Sequence, residues 1–209
     1  MKRHLIGLAA LGGWAGLALQ QHIIFYFRWI DGASLLPGLV NFFSFFTVLT
    51  NTLVAVVLTH AWVQRRTAAS RFFLGPVVSS GIAVSIVVVS LAYSLLLRHM
   101  WAPAGVQFVA DELLHDVMPL VFVVYWWCCV PKGSLRLKHI GLWVIYPLVY
   151  FAYALLRGYV WGLYQYPFID VDTLGYPQVF INAGGILAGF VLVALAVVGL
   201  DKFLARRRA

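Results

Sequence analysis

Charge is what this sequence has least of. Only 11% of its 209 residues are Asp, Glu, Lys or Arg and 63% are hydrophobic, whereas soluble domains carry about a quarter charged residues. That shortage excludes a soluble globular protein. Acidic residues are scarcest, seven against fifteen Lys and Arg, which leaves a net charge of +8. Nucleic acid is not the partner this implies, because the basic residues fall between apolar runs and build no continuous patch. Cysteine is nearly absent: Cys128 and Cys129 are adjacent, cannot close an ordinary bridge with each other and lack metal-ligand spacing. Neither a disulfide framework nor a metal site is expected. Also missing are a Gly-x-Ser-x-Gly elbow, a His-Glu-x-x-His pair, a Gly-rich phosphate loop and a His pair suited to haem, so serine-elbow hydrolases, zincins and ATPases are disfavoured. No cofactor is expected.

What the sequence has is apolar length. Runs bounded by charge, Pro and Gly lie near residues 4–27, 38–63, 73–97, 108–130, 138–161 and 178–204. Each is about as long as a bilayer crossing requires. Lipid leaves no water to satisfy an open sheet edge, so all six are read as helices. The expectation is an all-α polytopic membrane protein, a single six-helix transmembrane domain over residues 1–209. Lys2, Arg3, Arg65, Arg66, Arg71, Lys132, Arg136, Lys138, Lys202, Arg206, Arg207 and Arg208 share one side, and the opposite loops hold only Arg28 and Arg98. Lys/Arg excess in short loops marks the cytoplasm, which puts both termini there. Gly12 with Gly16, and Gly185 with Gly189, have the spacing that lets helices approach closely.

Polar residues concentrate in the outer halves of the spans. Asn41, Ser44, Thr47 and Asn51 fall within about a third of the circumference of the second helix. The fourth begins with Asp111, Glu112, His115 and Asp116, and Pro119 deprives the His115 carbonyl of its helical partner, predicting a kink. At 1.5 Å per residue, Thr47 and His115 lie about 14 and 10 Å below the outer boundary, so the two can meet. Arg157 stands about one turn from the end of the fifth span. This asymmetry predicts a water-accessible cavity open to the outer face, since intramembrane ionisable residues face a cavity or a partner.

The segments Asn41-Phe-Phe-Ser-Phe-Phe-Thr47-Val-Leu-Thr-Asn51, Leu114-His115-Asp-Val-Met-Pro119, Tyr146-Pro-Leu-Val-Tyr150 and Tyr164-Gln-Tyr-Pro-Phe168-Ile-Asp170 resemble, in order, the androgen-induced and androgen-dependent TFPI-regulating (ADTRP) family. The match is closer to its bacterial relatives, implying a cell membrane location, the bacterial inner membrane. The resemblance implies a membrane threonine hydrolase for fatty acid esters of hydroxy fatty acids or similar lipids, with Thr47 as nucleophile and His115 as base. Membrane lipid and a lipid-ester substrate are then the partners. Asp111, Glu112 and Asp116 are candidates to orient His115, Asn41 or Asn51 to donate to an oxyanion, and Ser44 and Arg157 to support substrate. A second reading makes the acids, His115 and Arg157 a proton or ion relay in a transporter. A third is a cation-binding scaffold.

Overall fold

The computed structural model describes residues 2–100 and 102–207, and among them every regular element is helical. Arg208, counted above with the inner charges, lies outside the described residues. Five helices are long and apolar enough to cross a membrane: Arg3–Ile30, Phe46–Val63, Pro76–Leu97, Lys138–Trp161 and Val171–Arg206. The chain divides into two compact units, Met1–Lys132 and Gly133–Ala209.

The first unit begins with α1 (Arg3–Ile30). Where one continuous span was expected over residues 38–63, there are two helices, α2 (Leu35–Phe42) and α3 (Phe46–Val63). At the break the Ser44 hydroxyl donates to the Val40 carbonyl at 2.7 Å, while the Ser44 N–H donates to the Asn41 carbonyl at 3.0 Å, a tighter turn than the α-helix makes. Phe45 is then extended and α3 starts afresh. Ser44 is fully buried, so the irregular backbone here is covered by protein. After the short α4 (Ala68–Phe73), α5 (Pro76–Ala92) runs into a π-helical turn, Tyr93–Leu97. The fourth run is α6 (Gly105–Glu112), a second π-turn (Leu113–Val117) and α7 (Met118–Cys129), without interruption.

α3 is the hub of this unit. Val54, Ala55, Val57 and Leu58 are completely buried, and α1, α5 and α7 all pack on it. Leu17, Phe42, Val48, Ala55 and Leu114 form a cluster that joins α1, both sides of the break and the second π-turn. Close packing and interhelical hydrogen bonds join the helices. The Trp126 indole donates to Ser80 at 2.8 Å between α7 and α5. Gly13 and Gly16, rather than Gly12 and Gly16, make the close approach: a Cβ on Gly13 would stand 3.1 Å from Met118 Cε and 3.3 Å from the Ala55 Cβ, whereas Gly12 has room.

The second unit pairs α8 (Lys138–Trp161) with α9 (Val171–Arg206) through a 3₁₀ turn, Pro167–Ile169. Asp170 caps α9 by accepting from the Asp172 and Thr173 backbone N–H groups at 3.0 and 3.2 Å. Gly175 (φ 72°, ψ 157°) bends the start of α9 ahead of Pro177. Ala154, Ile169 and Val179 form the core, ringed by aromatics. Within this unit Gly185 and Gly189 meet no neighbour, so they do not make the close contact their spacing suggests.

Candidate functional site

Pro119 shapes the site. With no N–H at position 119 and the Met118 N–H donating to Leu113 in the π-turn, the Leu114 carbonyl has no helical donor left. Asn51 of α3 supplies one: its Nδ2 donates to Leu114 O and to Thr47 O, both at 3.0 Å. The expected kink is therefore realised as a π-turn pinned by a side-chain amide. This overturns one expected role. Both Asn51 N–H groups are spent on carbonyls, so Asn51 is not available as an oxyanion donor. Its Oδ1 is fully buried and has no hydrogen-bond partner, and Gln21 Oε1 and Nε2 on α1 are likewise buried and unpartnered. Leaving such an atom unpaired costs about 1–3 kcal/mol.

The two π-turns face one another. His115 stacks on Tyr93, ring centroids 3.9 Å apart and planes 15° from parallel. Its Nδ1 lies 3.0 Å from the Asp111 carbonyl and 3.3 Å from Asp111 Oδ1. Both are acceptors, so Nδ1 carries the ring proton and Nε2 is the basic nitrogen of the neutral ring. The Tyr93 hydroxyl donates to Asp111 Oδ2, so the buried Asp111 carboxylate has a partner at each oxygen. Of the three acids expected to orient His115, Asp111 is the one whose carboxylate stands beside the ring. Glu112 and Asp116 turn instead to Arg98, at 3.6 Å from Glu112 Oε1 and in direct contact with Asp116. Arg98 also lies over the Tyr93 ring, 5.0 Å from its centroid. The Asp116 hydrogen bond holds the Arg98 proton more tightly than usual. The guanidinium stays charged and stands between two carboxyl groups.

Thr47 is buried at the second residue of α3, at the positive end of that helix's dipole. Its carbonyl and that of Leu114, the residue before His115, share the Asn51 amide. Asn41 is half-buried at the end of α2, where its carbonyl receives the Ser44 N–H. Ser44 closes the break. Arg157 belongs to the second unit, buried at 5% exposure, with Nη1 donating to the Leu163 carbonyl at 3.2 Å. His22 is exposed on α1. Among the described residues, no three or more His, Cys, Asp or Glu side chains come together as a metal ion requires.

Tyr93 and Arg98 are the site residues that motif spacing does not flag. The sequence shows Tyr93 as one polar residue of the third span and Arg98 as a charge on the outer side, and the pairing of the two π-turns brings both to Asp111, Glu112 and Asp116. No protein-family model, curated protein or solved structure matches the chain.

Proposed function

We propose that this chain is an integral-membrane lipid-ester hydrolase in which Thr47 is the nucleophile, His115 the base and Asp111 the residue that orients the base. The observation that carries this reading is the Asp111–His115 pair, which fixes Nδ1 as the protonated nitrogen and leaves Nε2 to accept a proton. In the reaction, Nε2 takes the Thr47 hydroxyl proton as Oγ attacks the ester carbonyl. The tetrahedral oxyanion collapses, the leaving alkoxide takes the proton from His115, and the acyl group remains on Thr47. Water, deprotonated by His115 as it attacks the acyl carbonyl, then releases the fatty acid, and the departing Thr47 oxygen takes that proton back from His115. The positive end of the α3 dipole supports negative charge beside Thr47, a role first expected of Asn51. The long apolar substrate enters from the surrounding lipid, consistent with fatty acid esters of hydroxy fatty acids or similar lipids. The motif resemblance to the ADTRP family points the same way and is part of the proposal.

The membrane arrangement that goes with it has six spans, the run Gly105–Cys129 being the one beyond the five long apolar helices. Both termini face the cytoplasm, on the strength of the Lys and Arg distribution. A bacterial inner membrane fits this topology.

A second reading rests on the Tyr93–Asp111 hydrogen bond and the Asp111–His115 contact, which together are also a path a proton could follow in a transporter. The two readings part at Thr47. Purified protein incubated with a panel of lipid esters should release fatty acid, and Thr47→Ala should abolish release while Thr47→Ser keeps part of it. Turnover by a folded Thr47→Ala protein at the wild-type rate would favour the relay.

A further inference from the structure

At the opposite end of α3 from Thr47, the first unit contains a cavity of about 730 Å³. Arg65, Arg66 and Arg71 line it, with Ile6, Leu74 and Val130 among its apolar walls and no acidic residue. The segment carrying the arginines is held in place. Gln64 ends α3 in the left-handed conformation, with its N–H on the His60 carbonyl. The Thr67 hydroxyl accepts the Ser70 N–H at 3.1 Å, and Ser70 Oγ is 3.0 Å from His60 Nδ1, tying α4 back to α3. The neighbouring cations are occupied elsewhere. Arg3 donates to the Trp62 carbonyl at 3.0 Å, and the Lys132 ammonium donates to the Val130 carbonyl at 2.6 Å and lies over the Trp126 ring. Arg65, Arg66 and Arg71, by contrast, form no ion pair with an acid among the described residues.

A positive-inside loop needs only charge; it needs neither a cavity nor an apolar wall beside its arginines. Three guanidinium groups with no protein counter-charge match a phosphate, whose oxygens they can engage in forked pairs. The apolar wall matches what is attached to that phosphate at a membrane surface. We propose that this cavity binds an anionic phospholipid, its phosphate held by Arg65, Arg66 and Arg71 and its glycerol and first acyl carbons against Ile6, Leu74 and Val130. The site is separate from the Thr47–His115 region and does not depend on the hydrolase reading.

The test uses the full chain purified in a neutral detergent, with thermal unfolding followed as phosphatidylglycerol, phosphatidylcholine or inorganic phosphate is titrated in. Phosphatidylglycerol should raise the unfolding temperature saturably, and phosphatidylcholine should not. The triple variant Arg65→Gln, Arg66→Gln, Arg71→Gln should weaken the apparent affinity at least about tenfold, given roughly fivefold per basic residue at an anionic surface. The control triple Arg136→Gln, Lys138→Gln, Lys202→Gln should bind as the unaltered chain does. Should the arginine variant not fold, Leu74→Trp, which keeps all charges and fills the cavity, should still lose the lipid effect. Equal response to the two lipids, an equal loss in the control triple, or full retention by Leu74→Trp would overturn the site. A shift fully reproduced by inorganic phosphate would also overturn it as a lipid site.

Discussion

The Tyr93 ring lies flat against the His115 ring because each side chain sits in a π-helical turn. The Arg98 N–H reaches back to the Tyr93 carbonyl, and the Met118 N–H to that of Leu113, each one residue further than in an α-helix. The wider turns reset the direction of the side chains in both helices. One consequence is that Asp111, one turn before His115, meets both the imidazole and the phenol.

Replacing Asp111 with Asn keeps the shape of the side chain but removes the charge that holds Nδ1–H. Ester turnover should fall by about a hundredfold or more, as loss of an oriented base does, with little change in KM. Tyr93→Phe keeps the ring stack and loses one hydrogen bond to Asp111, so its loss should be smaller. Steady-state kinetics on both variants, with the pH profile of kcat, check the order. Equal rates for Asp111→Asn and the unaltered protein would remove Asp111 from the mechanism.

Asn51→Ala should act mainly on stability. It strips the Asn51 donor from the Leu114 carbonyl, and an unpaired buried acceptor costs about 1–3 kcal/mol. Thermal unfolding in detergent should show a lowered midpoint. A sharp loss of turnover at unchanged stability would restore Asn51 to the oxyanion role.

Gly158 marks where the second unit leaves no space, since a Cβ there would fall inside the Tyr164 ring. Gly158→Ala should lower the unfolding midpoint, and Tyr164→Ala in the same chain should recover part of the loss. Because the two sites touch, their effects should not add.

Topology has its own check. Single cysteines placed at Asp31 and Asp170 in a chain freed of Cys128 and Cys129 should react with impermeant maleimide from outside intact cells, and one at Arg66 should not. The reverse pattern would invert the proposed orientation.

The helical class and the long apolar runs could be read in the sequence because lipid permits few alternatives, and because a run of twenty apolar residues carries its meaning locally. The break between Phe42 and Phe46 could not, since apolar residues continue across it and a serine bonded to the carbonyl one turn back also occurs at Ser85, inside an unbroken helix. Pro119 announced a disturbance at His115. What form it took depended on whether another helix offered the Leu114 carbonyl a donor, and Asn51 is 63 residues away. The choice of Asp111 over Glu112 and Asp116 was hidden for the same reason. Three acids within six residues look alike until Arg98 takes two of them and Tyr93 the third.

The central claim is that Thr47 Oγ forms the covalent bond to the acyl group, and locating that bond tests it most directly. The purified protein should be reacted with a fluorophosphonate that mimics the ester, digested, and the adduct assigned by mass spectrometry. The account predicts one adduct, on Thr47, lost in Thr47→Ala and strongly reduced in His115→Ala. An adduct on any other residue, or undiminished labelling of a folded Thr47→Ala protein, would contradict it.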